Sequence, residues 1–303
     1  MPLTRTGIKL VLLLVFALIL IVTLVFFYTS GEDEEVIEDE PEEVVEPESE
    51  WPSHSVIGSS VEGRDIEVYT YEPAGVSDSH VIFVGGIHGG YEWNSVLLAY
   101  QAMDYLEAYP EVAPDNVTVS IVPSANPDGV MSVIGKTGRF SPGDAPPLEQ
   151  TTEGRFNANG VDLNRNFDCN WQPQSTWRGN IIDAGTEAFS EPEARAIRDL
   201  VLETEADAVI FWHSASGGVY GSECNEGVLP GTLNIMNAYA NASGYPAVES
   251  FDYYEITGDA EGWLASIGIP SITVELNTHD SIEWEENRAG FKAVLDHFGG
   301  NEQ

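Results

Sequence analysis

Basic side chains are scarce in this sequence, whose 303 residues include 12 Lys and Arg against 50 Asp and Glu, for a formal net charge of −38. Lys136 and Lys292 are the only lysines after residue 9. Such an acidic surface repels a phosphate backbone, and this excludes a nucleic-acid partner. The acidity fits a high-salt habitat, in which ions screen the self-repulsion, and it also fits drift among acidic secreted proteins.

Cysteine is rarer still, since the chain contains only Cys169 and Cys224. A disulfide is permitted outside the cytoplasm. We expect the two residues to form one, and the alternative is a pair of buried free thiols.

One long hydrophobic run stands out, residues 10–28 (LVLLLVFALILIVTLVFFY), which contain no charged residue. At ~1.5 Å per residue a helix of this length extends about 29 Å, close to the ~30 Å hydrocarbon core of a bilayer. Arg5 and Lys9 precede the run, which predicts a cytoplasmic segment 1–9 and places the rest of the chain outside. The alternative is a cleaved signal peptide, but residues 27–30 (FYTS) offer no clean small-x-small cleavage site. We therefore expect an uncleaved transmembrane anchor over 10–28.

The segment after the anchor, residues 29–50, is predicted to be a disordered stalk. Its residues 31–50 carry twelve acids and no base, and such a segment cannot bury enough apolar surface to offset its ordering entropy. Residues 51–303 remain, which is enough for one sizeable extracytoplasmic domain.

Within that domain, short β-branched runs alternate with helical patterns. This alternation predicts an α/β fold with a mixed, mostly parallel central sheet flanked by helices. The predicted strands cover residues 80–84, 117–122, 208–212 and 271–276, and the predicted helices cover 94–109, 191–203, 233–242 and 282–298. The second helix has a start signal, with Ser190 as N-cap, Pro192 in the first turn and Glu193 as the capping-box acid.

Three of the predicted strands end on histidine or glutamate. Strand 80–84 leads into His88 and Glu92, strand 208–212 leads into His213, and strand 271–276 contains Glu275 near its end. Ligands of such sheets bind beyond the carboxyl ends of the strands. We therefore expect these four side chains to meet at one site.

His88, Glu92 and His213 form a candidate metal-ligand set. Zinc in hydrolases favours three His and carboxylate ligands and leaves a fourth position to water. On a helical turn, positions i and i+4 share a face, so His88 and Glu92 would reach one ion. Each residue alone has an ordinary explanation, a loop histidine or an acid that complements a helix dipole.

Three further blocks resemble a known family. Residues 125–129 (ANPDG), 160–167 (GVDLNRNF) and 268–276 (GIPSITVEL) are similar to the NPDG, GVDxNRN and GIPxxTxEL motifs of the zinc carboxypeptidases, the M14 family. They occur in the family's order, and the resemblance covers about residues 60–298. It implies a zinc-dependent peptidase that acts on a peptide substrate with one Zn²⁺ ion, and we expect a monomer.

The resemblance implies a role for each residue of the metal site. His88, Glu92 and His213 would hold the ion, as the His₂Glu set does in carboxypeptidase A, and Asp162 would support His88 from behind. The family usually spaces its first two ligands H-x-x-E, whereas this chain has H-x-x-x-E, with Tyr91 at the family's glutamate position. Either the glycines at 89 and 90 let the turn absorb one extra residue, which we expect, or Glu92 is not a ligand.

The resemblance also implies which residues act on the substrate. Glu275 would be the general base and Arg155 would polarise the scissile carbonyl. Asn164 and Arg165 would grip the terminal carboxylate, since a planar guanidinium beside an amide suits bidentate capture.

Two further substrate-binding residues follow by position relative to Trp263. The family's mobile tyrosine falls on Tyr254, with Tyr253 as the neighbouring alternative. Glu261 falls at the base of the side-chain pocket, where an acid would favour a basic terminal residue such as Lys, Arg or diaminopimelate. Glu261 equally fits one more surface acid of an acidic domain.

The function that this resemblance implies is a carboxypeptidase that hydrolyses a C-terminal peptide bond. Some relatives instead cleave γ-D-glutamyl-diaminopimelate bonds in cell-wall peptides, which would suit an extracytoplasmic domain. Deacylases of the aspartoacylase type share the ligand logic but generally lack the NPDG and GVDxNRN blocks. A non-catalytic binding module would be expected to lose the base or the electrophile, and both Glu275 and Arg155 are present.

Overall fold

The chain divides into two units, Met1–Glu48 and Ser49–Gln303. The computed structural model describes residues 5–29, 51–251 and 256–300. From residue 30 onward the predicted stalk lies outside the described residues, and so do both Tyr253 and Tyr254.

The first unit contains one helix, α1 (Arg5–Thr29). Its segment Leu12–Thr29 has a mean hydropathy of 2.9, and none of that segment is buried within the structure. By length and composition this helix is able to cross a membrane, and a signal sequence would have the same properties.

Ten strands are found in the described part of the second unit. They are β1 (Ser53–Ser59), β2 (Asp65–Tyr71), β3 (Ser79–Val84), β4 (Val117–Val122), β5 (Gln174–Trp177), β6 (Asn180–Asp183), β7 (Ala208–Ser214), β8 (Gly218–Gly221), β9 (Ala247–Val248) and β10 (Ser271–Leu276). Eight of them form one sheet in the order β1-β2-β4-β3-β7-β10-β8-β9, while β5 and β6 form a separate antiparallel hairpin. The four central strands β4, β3, β7 and β10 run parallel. The predicted fold class, a mixed and mostly parallel sheet flanked by helices, is confirmed.

Six α-helices accompany the sheet among the described residues of this unit. They are α2 (Trp93–Ala108), α3 (Pro127–Ile134), α4 (Pro192–Glu203), α5 (Pro230–Ser243), α6 (Ala260–Ser266) and α7 (Trp284–Phe298). The four predicted helices correspond to α2, α4, α5 and α7, with ends that differ by up to three residues.

The core has two halves, one on each face of the sheet. Along β3 the buried residues alternate: Val81 and Phe83 pack with α2, α5 and α7, whereas Ile82 and Val84 pack with α4 and α6. Successive strand side chains point to opposite faces. Because helices cover both faces, a central strand is apolar throughout, and this explains why the sequence shows continuous runs instead of alternation.

The predicted start of α4 is wrong by one residue. The N-cap is Glu191, and it makes no side-chain capping bond. The hydroxyl of Ser190 is already engaged, since it donates to Oε1 of Glu191 and accepts from Nδ2 of Asn166. Tertiary hydrogen bonds have therefore displaced the local cap.

Candidate metal centre

The pairing of the central strands brings the candidate residues to one edge of the sheet. β7 and β10 are parallel neighbours in which His213 lies opposite Glu275. β3 lies on the other side of β7, where Val84 pairs with Phe211, and the chain then continues to His88. The three strands therefore deliver their polar ends to the same place, as the sequence predicted.

The turn after β3 accommodates the extra residue between His88 and Glu92. Gly89–Glu92 form a short 3-10 helix, and the carbonyl of His88 accepts from the amides of Tyr91 (3.1 Å) and Glu92 (3.4 Å). Gly89 has a φ of +44°, and a Cβ at this position would lie 2.6 Å from the carbonyl oxygen of Gly154. Only glycine meets both conditions, and the resulting turn directs Glu92 toward His88.

His88, Glu92 and His213 form a group able to hold one metal ion, because their ligand atoms lie within 4.8 Å of one another. The three residues are 3%, 3% and 2% exposed. Nε2 of His88 lies 4.0 Å from Oε1 of Glu92, and Nδ1 of His213 lies 3.1 Å from Oε2 of Glu92. Two imidazoles and one carboxylate are the donor set that zinc favours, so the residues fit this ion.

A second carboxylate lies behind each histidine. Nδ1 of His88 is 3.5 Å from Oδ1 of Asp162, and Nε2 of His213 is 3.2 Å from Oε1 of Glu261. Within the described residues neither nitrogen has a hydrogen bond of good geometry. Histidines that bind metals commonly turn their other ring nitrogen toward a carboxylate, which fixes the tautomer and the ring orientation.

The pKa values of the two histidines are shifted in opposite directions. Burial and the charge of Arg155 hold the pKa of His88 well below its ordinary value. Burial also lowers the pKa of His213, but Glu92 and Glu261 outweigh that effect and raise it well above its ordinary value. The two carboxylates therefore favour the protonated form of His213, whereas the surroundings of His88 favour its neutral form.

Glu275 lies in the cavity that His88, Glu92 and His213 also line. One of its oxygens, Oε2, accepts from the amide of Ser216 at 3.1 Å. Burial and the charge of Glu92 raise the pKa of Glu275 to about 7. A carboxylate with this pKa is able to take up and release a proton near neutral pH.

Arg155 is buried beside the metal-ligand group. Its Nε donates to Oδ2 of Asp162 at 2.8 Å, and its Nη1 lies 3.7 Å from Oε1 of Glu92. The guanidinium carbon lies 4.6 Å from the ring centroid of Trp177. Asp162 thus faces both His88 and Arg155 and links the metal group to this cation.

Asn164 and Arg165 occupy different positions. Asn164 lines the cavity, and its Oδ1 accepts from the amide of Ala260 at 2.8 Å. Arg165 is 2% exposed and is not among the residues that line the cavity. Its Nη1 donates to the carbonyl of Asn164. Its charge contributes to the lowered pKa of His88 and partly opposes the rise in the pKa of Asp259.

The cavity has a volume of about 420 Å³ and includes residues that the sequence did not point to. Asp259 is the N-cap of α6, where it accepts from the amide of Gly262 at 2.7 Å. Burial and the charge of Glu261 raise the pKa of Asp259 to about 6. An acid three residues before a glycine at a helix start is a recognisable cap signal, but nothing in the pattern places it beside a metal site.

Trp177 and Arg178 are two further cavity residues that sequence reasoning missed. They come from the β5–β6 hairpin, whose strands contain only four residues each. The hairpin follows a disulfide-bonded residue, since Cys169 and Cys224 are joined with a Cα–Cα distance of 6.2 Å.

A doubly covered, mostly parallel sheet that ends in a buried His-Glu-His group, with a glutamate in the same cavity, defines a class of zinc-binding α/β proteins. Comparisons with known proteins agree with this class. A model of the zinc carboxypeptidase family matches residues 41–285. The chain belongs to the zinc carboxypeptidase family, and zinc is the cofactor of that family.

Individual relatives carry two kinds of name. Carboxypeptidase B of Helicoverpa zea is 31% identical over 255 residues, which cover 72% of this chain and 56% of that protein. A protein named γ-D-glutamyl-L-diamino acid endopeptidase 1, from Lysinibacillus sphaericus, is 27% identical over 184 residues, which cover 54% of this chain and 43% of that protein. The chain thus spans about half the length of these relatives.

The fold is also similar to that of a solved structure, the murein-tripeptide amidase of Escherichia coli O157. The TM-score is 0.56 at 23% sequence identity, and the match covers 83% of this chain and 93% of that one. At this identity the likeness describes the fold alone.

Proposed function

We propose that this chain is a zinc-dependent carboxypeptidase that hydrolyses the C-terminal peptide bond of its substrate. The observation that carries the proposal is the meeting of His88, Glu92 and His213 with Glu275 in one cavity. A buried three-ligand group and a carboxylate of raised pKa in the same cavity are the parts that metal-assisted hydrolysis of an amide requires.

Three residues would hold the ion and one would move the proton. His88, Glu92 and His213 would hold zinc, which when bound would supply a Lewis acid and lower the pKa of a water toward ~7. The carboxylate of Glu275 takes a proton from the attacking water and passes it to the leaving amine. Proton transfer of this kind typically accelerates a reaction by ~10²–10⁴. The amide of Ser216 holds one oxygen of Glu275, so the carboxylate is oriented before the substrate arrives.

Arg155 would stabilise the charge that develops on the carbonyl oxygen of the scissile bond. Asp162 fixes its Nε, so the remaining guanidinium nitrogens keep a defined direction. A preoriented donor in a buried site costs little reorganisation during the reaction.

The end of the cavity near α6 would bind the C-terminal residue. The Oδ1 of Asn164 is held by the amide of Ala260, which leaves its Nδ2 to donate to the terminal carboxylate. Arg165 lies directly behind Asn164 and adds positive charge at this end. Tyr254, a further candidate substrate residue, lies outside the described residues.

We propose a basic residue as the preferred C-terminal residue. Glu261 and Asp259 both line the cavity. Burial, together with the charge of Glu261, raises the pKa of Asp259 to about 6, and a cationic side chain placed between the two acids would relieve their repulsion. Oε1 of Glu261 already faces His213 and accepts from Thr273, so its second oxygen would meet the substrate.

A peptide panel tests this proposal. The full-length chain in detergent would be incubated with peptides that differ only in a C-terminal Arg, Lys or Phe, with and without chelator, and the products identified by mass spectrometry. The expected result is release of single Arg or Lys residues, loss of release on chelation, and recovery when zinc is added. Preferential release of Phe would refute the acidic pocket, and cleavage indifferent to the chelator would refute the metal mechanism.

A second candidate is hydrolysis of γ-D-glutamyl bonds to diamino acids in cell-wall peptides. The name of the Lysinibacillus sphaericus relative supports it, and a diamino acid carries the ammonium group that Glu261 and Asp259 would bind. Stem peptides added to the same panel decide between the candidates. Faster release from the γ-D-glutamyl peptide than from its α-linked counterpart would favour the second.

We further propose that α1 anchors the chain in a membrane and that the domain after residue 50 lies on the extracytoplasmic side. Arg5 before the apolar run and the disulfide of Cys169 and Cys224 support this orientation. Protease treatment of intact cells tests it, because only an extracytoplasmic domain would be digested.

A further inference from the structure

Glu261 and Arg178, which carry opposite charges, both line the cavity that contains the metal-ligand group. A continuous set of contacts crosses it. Oε1 of Glu261 is 3.2 Å from Nε2 of His213, and Nδ1 of His213 is 3.1 Å from Oε2 of Glu92. Oε1 of Glu92 is then 3.7 Å from Nη1 of Arg155, whose guanidinium carbon lies 4.6 Å from the ring of Trp177.

Arg178 extends this sequence of contacts to the mouth of the cavity. It is exposed and lines the cavity, and its guanidinium carbon lies 5.3 Å from the ring centroid of Trp177 and 5.7 Å from that of Tyr91. Two aromatic rings therefore hold an exposed cation at the far end of the series of contacts that begins at Glu261.

The turn at Arg178 has a backbone conformation that arginine rarely adopts. Arg178 and Gly179 connect β5 to β6, and both have positive φ, +49° and +78°. Two-residue hairpin turns of this kind strongly favour Asn, Asp or Gly at both positions. The left-handed conformation is unfavourable for an arginine, and its presence here is consistent with a role for the Arg178 side chain.

The guanidinium of Arg178 differs from those of other arginines of the domain in its charge partners. In the part of the chain that the structure describes, it makes no ion pair, whereas Arg155 pairs with Asp162 and Arg139 pairs with Asp104. Residues 51–303 contain 38 acids against ten bases. A cation that has no carboxylate partner among the described residues of such a domain is suited to a carboxylate that the substrate brings.

We propose that Arg178 is a specificity-determining residue that binds a carboxylate on the residue upstream of the scissile bond. This inference rests on the proposed function. Asn164, Asp259 and Glu261 lie at the α6 end, where the C-terminal residue would bind. Arg178 lies at the other end, beyond Arg155, where the part of the substrate before the scissile carbonyl would lie.

Two kinds of substrate present such a carboxylate. One is an α-linked peptide with Asp or Glu before its C-terminal residue, which offers a side-chain carboxylate. The other is a γ-linked glutamyl peptide, in which the γ-carboxyl forms the amide and the α-carboxyl stays free. Either would bring an anion to Arg178 and, with a basic or diamino C-terminal residue, a cation to Glu261.

Binding tests the inference apart from catalysis. The full-length chain carrying Glu275→Gln would be loaded with zinc, and the dissociation constants of four fluorescent peptides ending in lysine would be measured by anisotropy. The peptides form two pairs, α-linked Glu against Gln and γ-linked D-Glu against its α-carboxamide. We expect the carboxylate member of at least one pair to bind about tenfold more tightly, as a charge-assisted hydrogen bond allows.

Substitution of Arg178 supplies the decisive comparison. In Arg178→Gln the difference within that pair should vanish while the amide peptide binds as before, and Arg178→Lys should keep part of it because the charge remains without the planar fork. Lys292→Gln is the matched control, since it removes one exposed cation from α7, outside the cavity, and should leave the difference intact. The pair that responds identifies the linkage.

The outcomes separate this inference from the proposed function. A difference that is absent in the parent, or that persists in Arg178→Gln, overturns the role of Arg178. Hydrolysis of the lysine peptides by the chain with Glu275 intact tests the function on its own. Carboxylate-selective binding without hydrolysis would uphold Arg178 and contradict the proposed peptidase.

Discussion

At the scale of single residues, the proposed mechanism depends on two carboxylates that have different roles in one cavity. Glu92 faces both histidines and would hold the ion, whereas Glu275 is held by the amide of Ser216 and would move a proton. Burial raises the pKa of Glu275, and the charge of Glu92 raises it further, since two like charges in a buried cavity resist simultaneous ionisation.

The acid limb of the pH-rate profile follows from Glu275. The residue must be deprotonated to act as a base, and its pKa is raised to about 7, so kcat/KM should rise with pH up to about 7. A bound cation would lower this pKa, which places the limb at or below that value. Glu275→Gln should reduce kcat by ~10²–10⁴ and retain the metal. A flat profile between pH 5 and 8, or a fully active Glu275→Gln, would contradict the assignment.

Zinc affinity should also depend on pH, through His213. Glu92 and Glu261 raise the pKa of His213, and a metal must displace that proton. Apparent affinity should therefore increase with pH, by up to about tenfold per unit for one released proton. Competition with a chromophoric chelator measures it. Glu261→Gln removes one of the two carboxylates and should shift the dependence to lower pH; an unshifted curve would argue against this coupling.

At the scale of elements, the turn between β3 and α2 decides whether the centre forms. Gly89 has a φ of +44°, and its backbone passes so close to Gly154 that a Cβ would meet the carbonyl at 2.6 Å. Sequence reasoning identified the glycines as the source of room in this turn, because they flank the first ligand. It was unable to foresee that Gly154, 65 positions further along, fixes how tight the turn is.

Gly89→Ala should lower the free energy of unfolding by about 2–4 kcal/mol and weaken zinc binding, because strain and a backbone clash add at this position. Gly138→Ala is the matched control. Gly138 also has a positive φ, +72°, but nothing lies within 4 Å of the added Cβ, so about 1 kcal/mol is expected. Denaturant unfolding and metal titration of both variants check this, and equal effects would show that the clash is unimportant.

The elements that the sequence predicted are those whose pattern is long or buried on both faces. Strands β3, β4, β7 and β10 appear as β-branched runs, and their shared edge could be inferred from the parallel fold. The hairpin β5–β6 has four-residue strands whose side chains, apart from that of Ile182, are exposed or half-buried, so no periodicity marks it. As a result, nothing in the sequence indicated that Arg178 lines the cavity.

Within the candidate site, the sequence predicted the side chains but not all of their contacts. The fold brings His88, Glu92, His213 and Glu275 together, because strand ends determine their positions. Glu261 was expected at the base of a pocket, and the structure shows in addition that it faces Nε2 of His213. Arg165 was expected to face the substrate together with Asn164, but it lies behind Asn164. The spacing of residues along the sequence does not indicate side-chain packing of this kind.

At the scale of the whole molecule, the strongest feature is the formal net charge of −38. Self-repulsion of this size destabilises the compact state, and it is screened over about 10 Å at 0.1 M salt and about 3 Å at 1 M. If the acidity is an adaptation to high salt, the midpoint of thermal unfolding should rise by several degrees between 0.05 M and 2 M potassium chloride. No rise across this range would exclude the adaptation and leave drift as the explanation.

The central claim concerns the whole domain, because strands distant in sequence must place one metal ion. Diffraction data collected above and below the zinc absorption edge, from crystals grown with zinc, test it most directly. The account predicts one anomalous peak, bonded to His88, Glu92 and His213 and adjacent to Glu275. A peak elsewhere, or no peak in a protein that still cleaves peptides, would contradict it.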